Sequence, residues 1–204
     1  MRRLPVYFVI ETSGGMVGDR IEEVRNGLQV LVSLLRQNPY ALEIVYLSII
    51  TFDSSAQQLT PLTELAVFQV PPLSGGGAAS MGASLKLVSD KMTTEVKKTE
   101  GDYKPWVFFV VIDGEATDNL QTGIAKFKKV ETGLVIAFQT FLKANLNVLT
   151  PITETVIKLD YSDTKALFKW VAASIALGAE KADSGEEIHS LSELPPLPPE
   201  LMIS

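Results

Sequence analysis

The chain has 204 residues, a net charge of −6, 46% hydrophobic and 21% charged residues, and no cysteine. That composition is ordinary for a globular protein long enough to bury a full core without cross-links, and it excludes disulfides and thiolate metal sites. The acidic balance argues against nonspecific nucleic-acid binding, since the basic residues cluster only at Lys126, Lys128 and Lys129.

The start, Met1-Arg2-Arg3-Leu4-Pro5, is basic like a secretory leader. The apolar run at residues 6–10 stops at Glu11, too short for a leader core or a membrane span. A cytoplasmic location without membrane attachment is therefore expected. Val6-Tyr7-Phe8-Val9-Ile10 has the continuous β-branched and aromatic character of a strand buried on both faces of a parallel sheet. A Gly-rich turn follows. Residues 19–38 then carry Ile21, Val24, Leu28, Leu31, Val32 and Leu35 at helical spacing, and Pro39 ends the helix.

Residues 42–52 read as a second buried strand, and the shorter, partly polar 56–62 as an antiparallel edge strand paired to it. Pro71, Pro72 and Gly75-Gly76-Gly77 form a loop. Leu85, Val88 and Met92 mark a helix over 81–98. Residues 106–112 are a third central strand, 119–128 a helix, 133–138 a strand, 146–153 a short helix and 156–159 a last strand. A closing helix over 163–177 offers Ala166, Leu167, Trp170, Val171, Ser174 and Ile175 to the sheet. Trp106 and Trp170 read as core anchors.

Strands alternating with helices imply right-handed crossovers and a doubly wound, mostly parallel α/β sheet with one antiparallel edge strand and helices on both faces. Ligands of such sheets sit beyond the carboxyl ends of the strands. Three loops lie there: 11–18, 75–80 and 113–118. The domain is expected over 1–178. A polar tail follows over 179–204, containing His189 and Pro195-Pro196-Leu197-Pro198-Pro199, which favours polyproline II. This stretch could serve as a partner ligand, a stiff end or a segment docked on its own domain; a stiff, loosely docked end is the expectation.

Several stretches together resemble the von Willebrand factor A superfamily, and within it the bacterial tellurium-resistance TerY family. They are Arg2-Arg3-Leu4-Pro5-Val6-Tyr7-Phe8, Asn38-Pro39-Tyr40-Ala41-Leu42-Glu43, Ile50-Thr51-Phe52-Asp53-Ser54-Ser55-Ala56, Pro61-Leu62-Thr63-Glu64-Leu65, Asp113-Gly114-Glu115-Ala116-Thr117-Asp118 and Phe168-Lys169-Trp170-Val171. The resemblance covers nearly the whole chain and thins between about 119 and 155. It implies a metal-ion-dependent adhesion site: Asp-x-Ser-x-Ser after the first strand, a Thr from the second loop and an Asp after the fourth strand. Such a site holds Mg²⁺ through hard oxygens in a strict octahedron and leaves a position for a partner's carboxylate.

Carried over residue by residue, Glu11 stands for the first Asp and Ser13 for the first Ser, while Gly15 replaces the second Ser. Ala79 replaces the Thr, and Asp113 matches the final Asp. Two of the five positions thus carry no side-chain oxygen. The extra methylene of Glu11 moves its carboxylate by roughly 1.5 Å, about one carbon–carbon bond. The expectation is a degenerate site with no cofactor or with weakly bound Mg²⁺ or Mn²⁺.

Ordinary roles exist for the same residues. Glu11 can be a solvated acid at a strand end, Ser13 a cap and Asp113-Gly114 a turn. Glu115, Thr117 and Asp118 form an acidic patch that is either an exposed loop or a partner contact. The resemblance implies a non-enzymatic protein–protein interaction module in a tellurite or stress response, with another von Willebrand A protein or a kinase–phosphatase pair as partner.

The competing reading is a nucleotide-binding α/β enzyme using Gly14-Gly15-Met16-Val17-Gly18, with Asp53 as a ribose-binding acid. Its glycine spacing is G-G-x-x-G rather than G-x-G-x-x-G, and Asp53 lies beyond the usual offset of about 20 residues. The single His lies in the tail and there is no Cys, so neither supplies a central nucleophile or base.

Overall fold

A computed structural model of the chain describes residues 2–111, 116–140, 148–159 and 163–203. The long apolar runs become the central strands of one sheet: β1 (Leu4–Glu11), β2 (Val45–Phe52), β4 (Trp106–Val111), β5 (Leu134–Thr140) and β6 (Val156–Leu159). Two further strands, β3 (Ala56–Glu64) and β7 (Leu201–Ile203), lie at the edges. The order is β3-β2-β1-β4-β5-β6-β7. Every central pairing is parallel, and β3 and β7 run antiparallel to β2 and β6. The doubly wound, mostly parallel architecture is the one expected, with a second antiparallel strand added by the tail.

Side-chain alternation divides the strands between two cores, as the pleat requires. Val6, Phe8 and Ile10 of β1 join one cluster with residues of α1 (Asp19–Arg36) and α5 (Thr164–Asp183). Tyr7 and Val9 join the other with α3 (Met81–Glu95) and α4 (Leu120–Phe127). Phe8, Phe108 and Phe138 stack across β1, β4 and β5, with ring centroids 5.5 and 6.2 Å apart, and Trp170 meets Phe138 edge-on at 6.1 Å. Trp106 and Trp170 are both buried, as core anchors should be. On the other face α3 and α4 pack backbone to backbone. A Cβ on Gly123 would stand 2.5 Å from the Gly82 carbonyl oxygen, so only glycine permits that approach.

Two segments differ from the sequence expectation. Residues 42–44 do not extend β2; they close a short helix, α2 (Pro39–Ile44). Pro39 starts this helix rather than merely stopping the one before it. Its fixed φ suits the first helical turn, and the Asn38 side chain accepts the Ala41 N–H at 2.9 Å. The tail is not a loose end. α5 continues to Asp183, and beyond it Ile188, Leu194 and Leu201 are buried. The Trp170 indole donates to the Pro195 carbonyl at 2.9 Å, and β7 then covers the open edge of β6. Of the short helix expected over 146–153, residues 146 and 147 lie outside the described residues, and the rest includes a turn in which Ile152 N–H donates to Leu149 O.

Candidate functional site at the carboxyl end of the sheet

β1 connects to β2 on one side, and β4 later pairs with it on the other. The sheet reverses its winding between β1 and β4, and ligands of this architecture bind beyond the carboxyl ends of the strands at such a point. Glu11 is the last residue of β1 and sits there. It is 1% exposed, so it is not the solvated acid that its strand-end position allowed.

The burial of Glu11 has a visible cause: the second loop folds over the first. Gly14 N–H donates to Gly77 O at 3.0 Å, and Gly76 N–H donates to Thr12 O at 2.9 Å. Thr12 N–H also bonds Phe52 O at the end of β2. The second loop is fixed in turn by Ser54, whose hydroxyl accepts the Ala78 N–H at 3.1 Å. Gly77 has φ +79°, and a Cβ there would lie 2.4 Å from the Ser54 hydroxyl, so this position requires glycine.

The two ligand positions that keep an oxygen among the described residues engage each other. The Ser13 hydroxyl donates to Glu11 Oε1 at 2.6 Å, and both side chains are buried. This is a charge-assisted bond. Ser13 therefore orients the carboxylate instead of making the cap bond its place before a helical turn allowed; no side-chain cap is made there.

The lost-ligand positions carry backbone chemistry. Gly15 lies in a single 3₁₀ turn, Gly14–Met16, and its carbonyl accepts from Arg20 Nη1 at 2.8 Å. A guanidinium thus reaches the backbone of the position that lacks the hydroxyl. Ala79 is buried; its carbonyl accepts the Thr117 N–H at 3.0 Å, and its N–H donates to the Thr117 hydroxyl at 3.3 Å. Asp118 is exposed, yet its two oxygens accept the Gly82 and Ala83 N–H groups at 2.8 and 2.7 Å, capping the start of α3. Asp113, Gly114 and Glu115 lie outside the described residues.

The described donors do not assemble the oxygen shell of Mg²⁺, which needs about six ligands. Glu11 and Ser13 supply one carboxylate and one hydroxyl, already bonded to each other. Among the described residues no group of three His, Cys, Asp or Glu could hold a metal ion.

Sequence reasoning missed two side chains at this end. Arg20, at the start of α1, reaches back to the first loop. Gln139, near the end of β5, is 1% exposed, and neither its amide nitrogen nor its oxygen finds a hydrogen-bond partner among the described residues. A Gln in an apolar strand was the available signal for the second.

The nucleotide alternative meets obstacles in the same loop. The N–H groups of Gly14, Met16 and Val17 all donate within the protein, so they are not open to cradle a phosphate. Asp19 and Glu22 occupy the first turn of α1 and oppose an anion there. Asp53 accepts the Ser55 N–H in a local turn.

Comparison with known proteins agrees with this architecture. The von Willebrand factor type A domain family matches residues 6–168, and the chain belongs to it. Domains of this type are protein-interaction modules. Among solved structures, the chain is similar to proximal thread matrix protein 1 of the mussel byssus, with 16% identity and TM-score 0.60 over 86% of this chain and 48% of that one. It is similar to the PilB minor pilin of Streptococcus sanguinis, solved as a D319A mutant, with 11% identity and TM-score 0.65 over 91% and 64%. It also resembles a von Willebrand factor type A protein from Catenulispora acidiphila, with 13% identity and TM-score 0.63 over 87% and 43%. At these identities the likeness concerns the fold, and this chain spans less than two thirds of each of those chains. No curated protein matches the sequence. Among the described residues no helix is long and apolar enough to cross a membrane.

Proposed function

We propose that this von Willebrand A domain is a non-enzymatic interaction module that binds a partner protein through the loops at the carboxyl end of its sheet, with a divalent ion bound weakly or not at all. The observation that carries the reading is the buried Ser13–Glu11 bond of 2.6 Å. The bond commits the hydroxyl proton to Glu11 and leaves one hydroxyl and one carboxylate as the side-chain donors of the first loop among the described residues. Gly15 and Ala79 supply no replacement side-chain oxygen, and Arg20 brings a positive charge to the rim. The donated N–H groups and the acidic first turn of α1 support a non-enzymatic role over nucleotide chemistry.

The TerY-type motifs support a finer assignment: a cytoplasmic component of a tellurite or stress response. Its partner would be another von Willebrand A protein or a kinase–phosphatase pair. Crosslinking in tellurite-stressed cells tests both levels. The partner captured by the native chain is expected to persist in EDTA and to be lost with Val17→Glu, at an exposed residue of the first loop, and with Arg20→Glu. Capture that EDTA abolishes contradicts metal independence. Capture indifferent to both variants contradicts the choice of face.

A further inference from the structure

We infer that a second docking surface lies at the opposite end of the sheet, a lysine-rimmed groove that takes an acidic segment of a partner protein carrying an apolar anchor. α3 leaves the carboxyl-end loops at Met81 and ends at Glu95 on the far side, where β4 begins at Trp106. Between the end of α3 and the turn from α4 to β5 is a cleft of about 530 Å³. Its floor is apolar: Met92, Val96 and Pro105 are buried there, and Val130 is half-buried. A volume of this size accepts one or two side chains.

The rim is basic on an otherwise acidic chain. Lys97, Lys98 and Lys129 line it, and Lys104 and Lys128 stand beside them. The facing carboxylates do not balance these charges. Glu100 pairs with Lys97, and Glu131 alone serves both Lys98 at 3.3 Å and Lys104 at 3.2 Å. Hydrogen bonds from Lys104 and Lys98 hold the Glu131 carboxyl below its usual range. Asp102 is committed to Arg3. Lys128 and Lys129 have no ion pair among the described residues. Glu131 shows locally what a partner's carboxylate would do: bridge two ammonium groups across the mouth of the groove.

Charge complementarity and the recessed apolar floor together favour an acidic peptide. A single-stranded nucleic acid would need aromatic stacking surfaces, which the described lining does not offer. A membrane would need apolar side chains that protrude, whereas these lie at the bottom of a cleft. The surface is separate from the Glu11 loops, so a domain using both could join two partners.

The test is fluorescence anisotropy of the full chain with a fluorescein-labelled Asp-Glu-Leu-Leu-Glu-Asp peptide. Saturable, salt-sensitive binding is expected. Lys128→Glu with Lys129→Glu, which breaks no ion pair among the described residues, should weaken it about tenfold. Val130→Asp should abolish it, while circular dichroism stays native. Replacing both leucines of the peptide by serine should also weaken it; partner capture through the carboxyl-end loops is read in a separate assay, so this surface and the carboxyl-end reading fail separately. Binding that ignores the lysine reversals, that is equal for the serine peptide, or that is surpassed by an oligonucleotide or by phosphatidylserine vesicles overturns the proposal.

Discussion

Strand β1 joins two buried carboxylates at its opposite ends, and they are held in different ways. At the amino end, the Asp102 side chain is fully buried and meets a saturated set of donors. The Arg3 guanidinium engages both its oxygens, and the Arg3 and Lys97 N–H groups bond it at 3.2 and 2.7 Å. At the carboxyl end, Glu11 is held by the Ser13 hydroxyl. The first arrangement compensates a charge fully and locks the chain entering β1 to the loop before β4. The second orients a charge at the place where ligands of this fold bind. Position separates the two: an acid joining the entry of a strand to a neighbouring loop reads as structural, and one at a switch point of the sheet reads as part of a ligand-binding end.

The largest effect expected from breaking this contrast is at the amino end. Arg3→Ala leaves Asp102 buried without its counter-charge and should cost about 3 kcal/mol in urea unfolding. A loss below about 1 kcal/mol would mean that the pair is as dispensable as a surface ion pair.

Acid should reveal the same pair. Burial pushes the Asp102 carboxyl up, but the bonds from Arg3 and from the Lys97 and Arg3 backbones outweigh it and hold the group below its ordinary value. A carboxyl lowered on folding contributes its stabilisation above the unfolded value, near 3.9, and loses it as pH falls through the folded value. The stability gap between the native chain and Asp102→Asn should therefore be constant from about pH 5 to 7 and close below about pH 4. A gap that widens on acidification contradicts the assignment.

A smaller effect is expected at the other end. Ser13→Ala removes one buried hydrogen bond and should cost about 1–2 kcal/mol, with the fold retained by circular dichroism. If Ser13→Ala costs as much as Arg3→Ala, Glu11 is a structural anchor like Asp102 and the contrast fails.

The sheet was readable because strands buried on both faces leave unbroken apolar runs, and β1, β4 and β5 emerged close to their expected bounds. α2 was misread because Leu42 and Ile44 carry strand-like character, while Asn38 and Pro39 set the helix from outside that run. The docked tail was misread because a proline-rich composition says nothing of the Trp170 indole waiting for the Pro195 carbonyl. At the site, motif spacing located Glu11 and Ser13. It did not reveal their bond or their burial beside a glycine loop, far along the chain, that bonds Thr12 and Gly14. Asp118 read as either an exposed loop acid or a partner contact, and its bonds to the start of α3 depend on a helix distant in sequence.

The most direct test of the central claim is isothermal titration calorimetry with Mg²⁺ and Mn²⁺. It would compare the native chain with a variant carrying Glu11→Asp, Gly15→Ser and Ala79→Thr, which restores the full ligand set. The native chain should show no saturable binding below about 1 mM, a weak-site limit corresponding to about 4 kcal/mol of binding free energy, and the restored variant should bind at least about tenfold more tightly. Micromolar binding by the native chain, abolished by Asp113→Ala, would contradict the account.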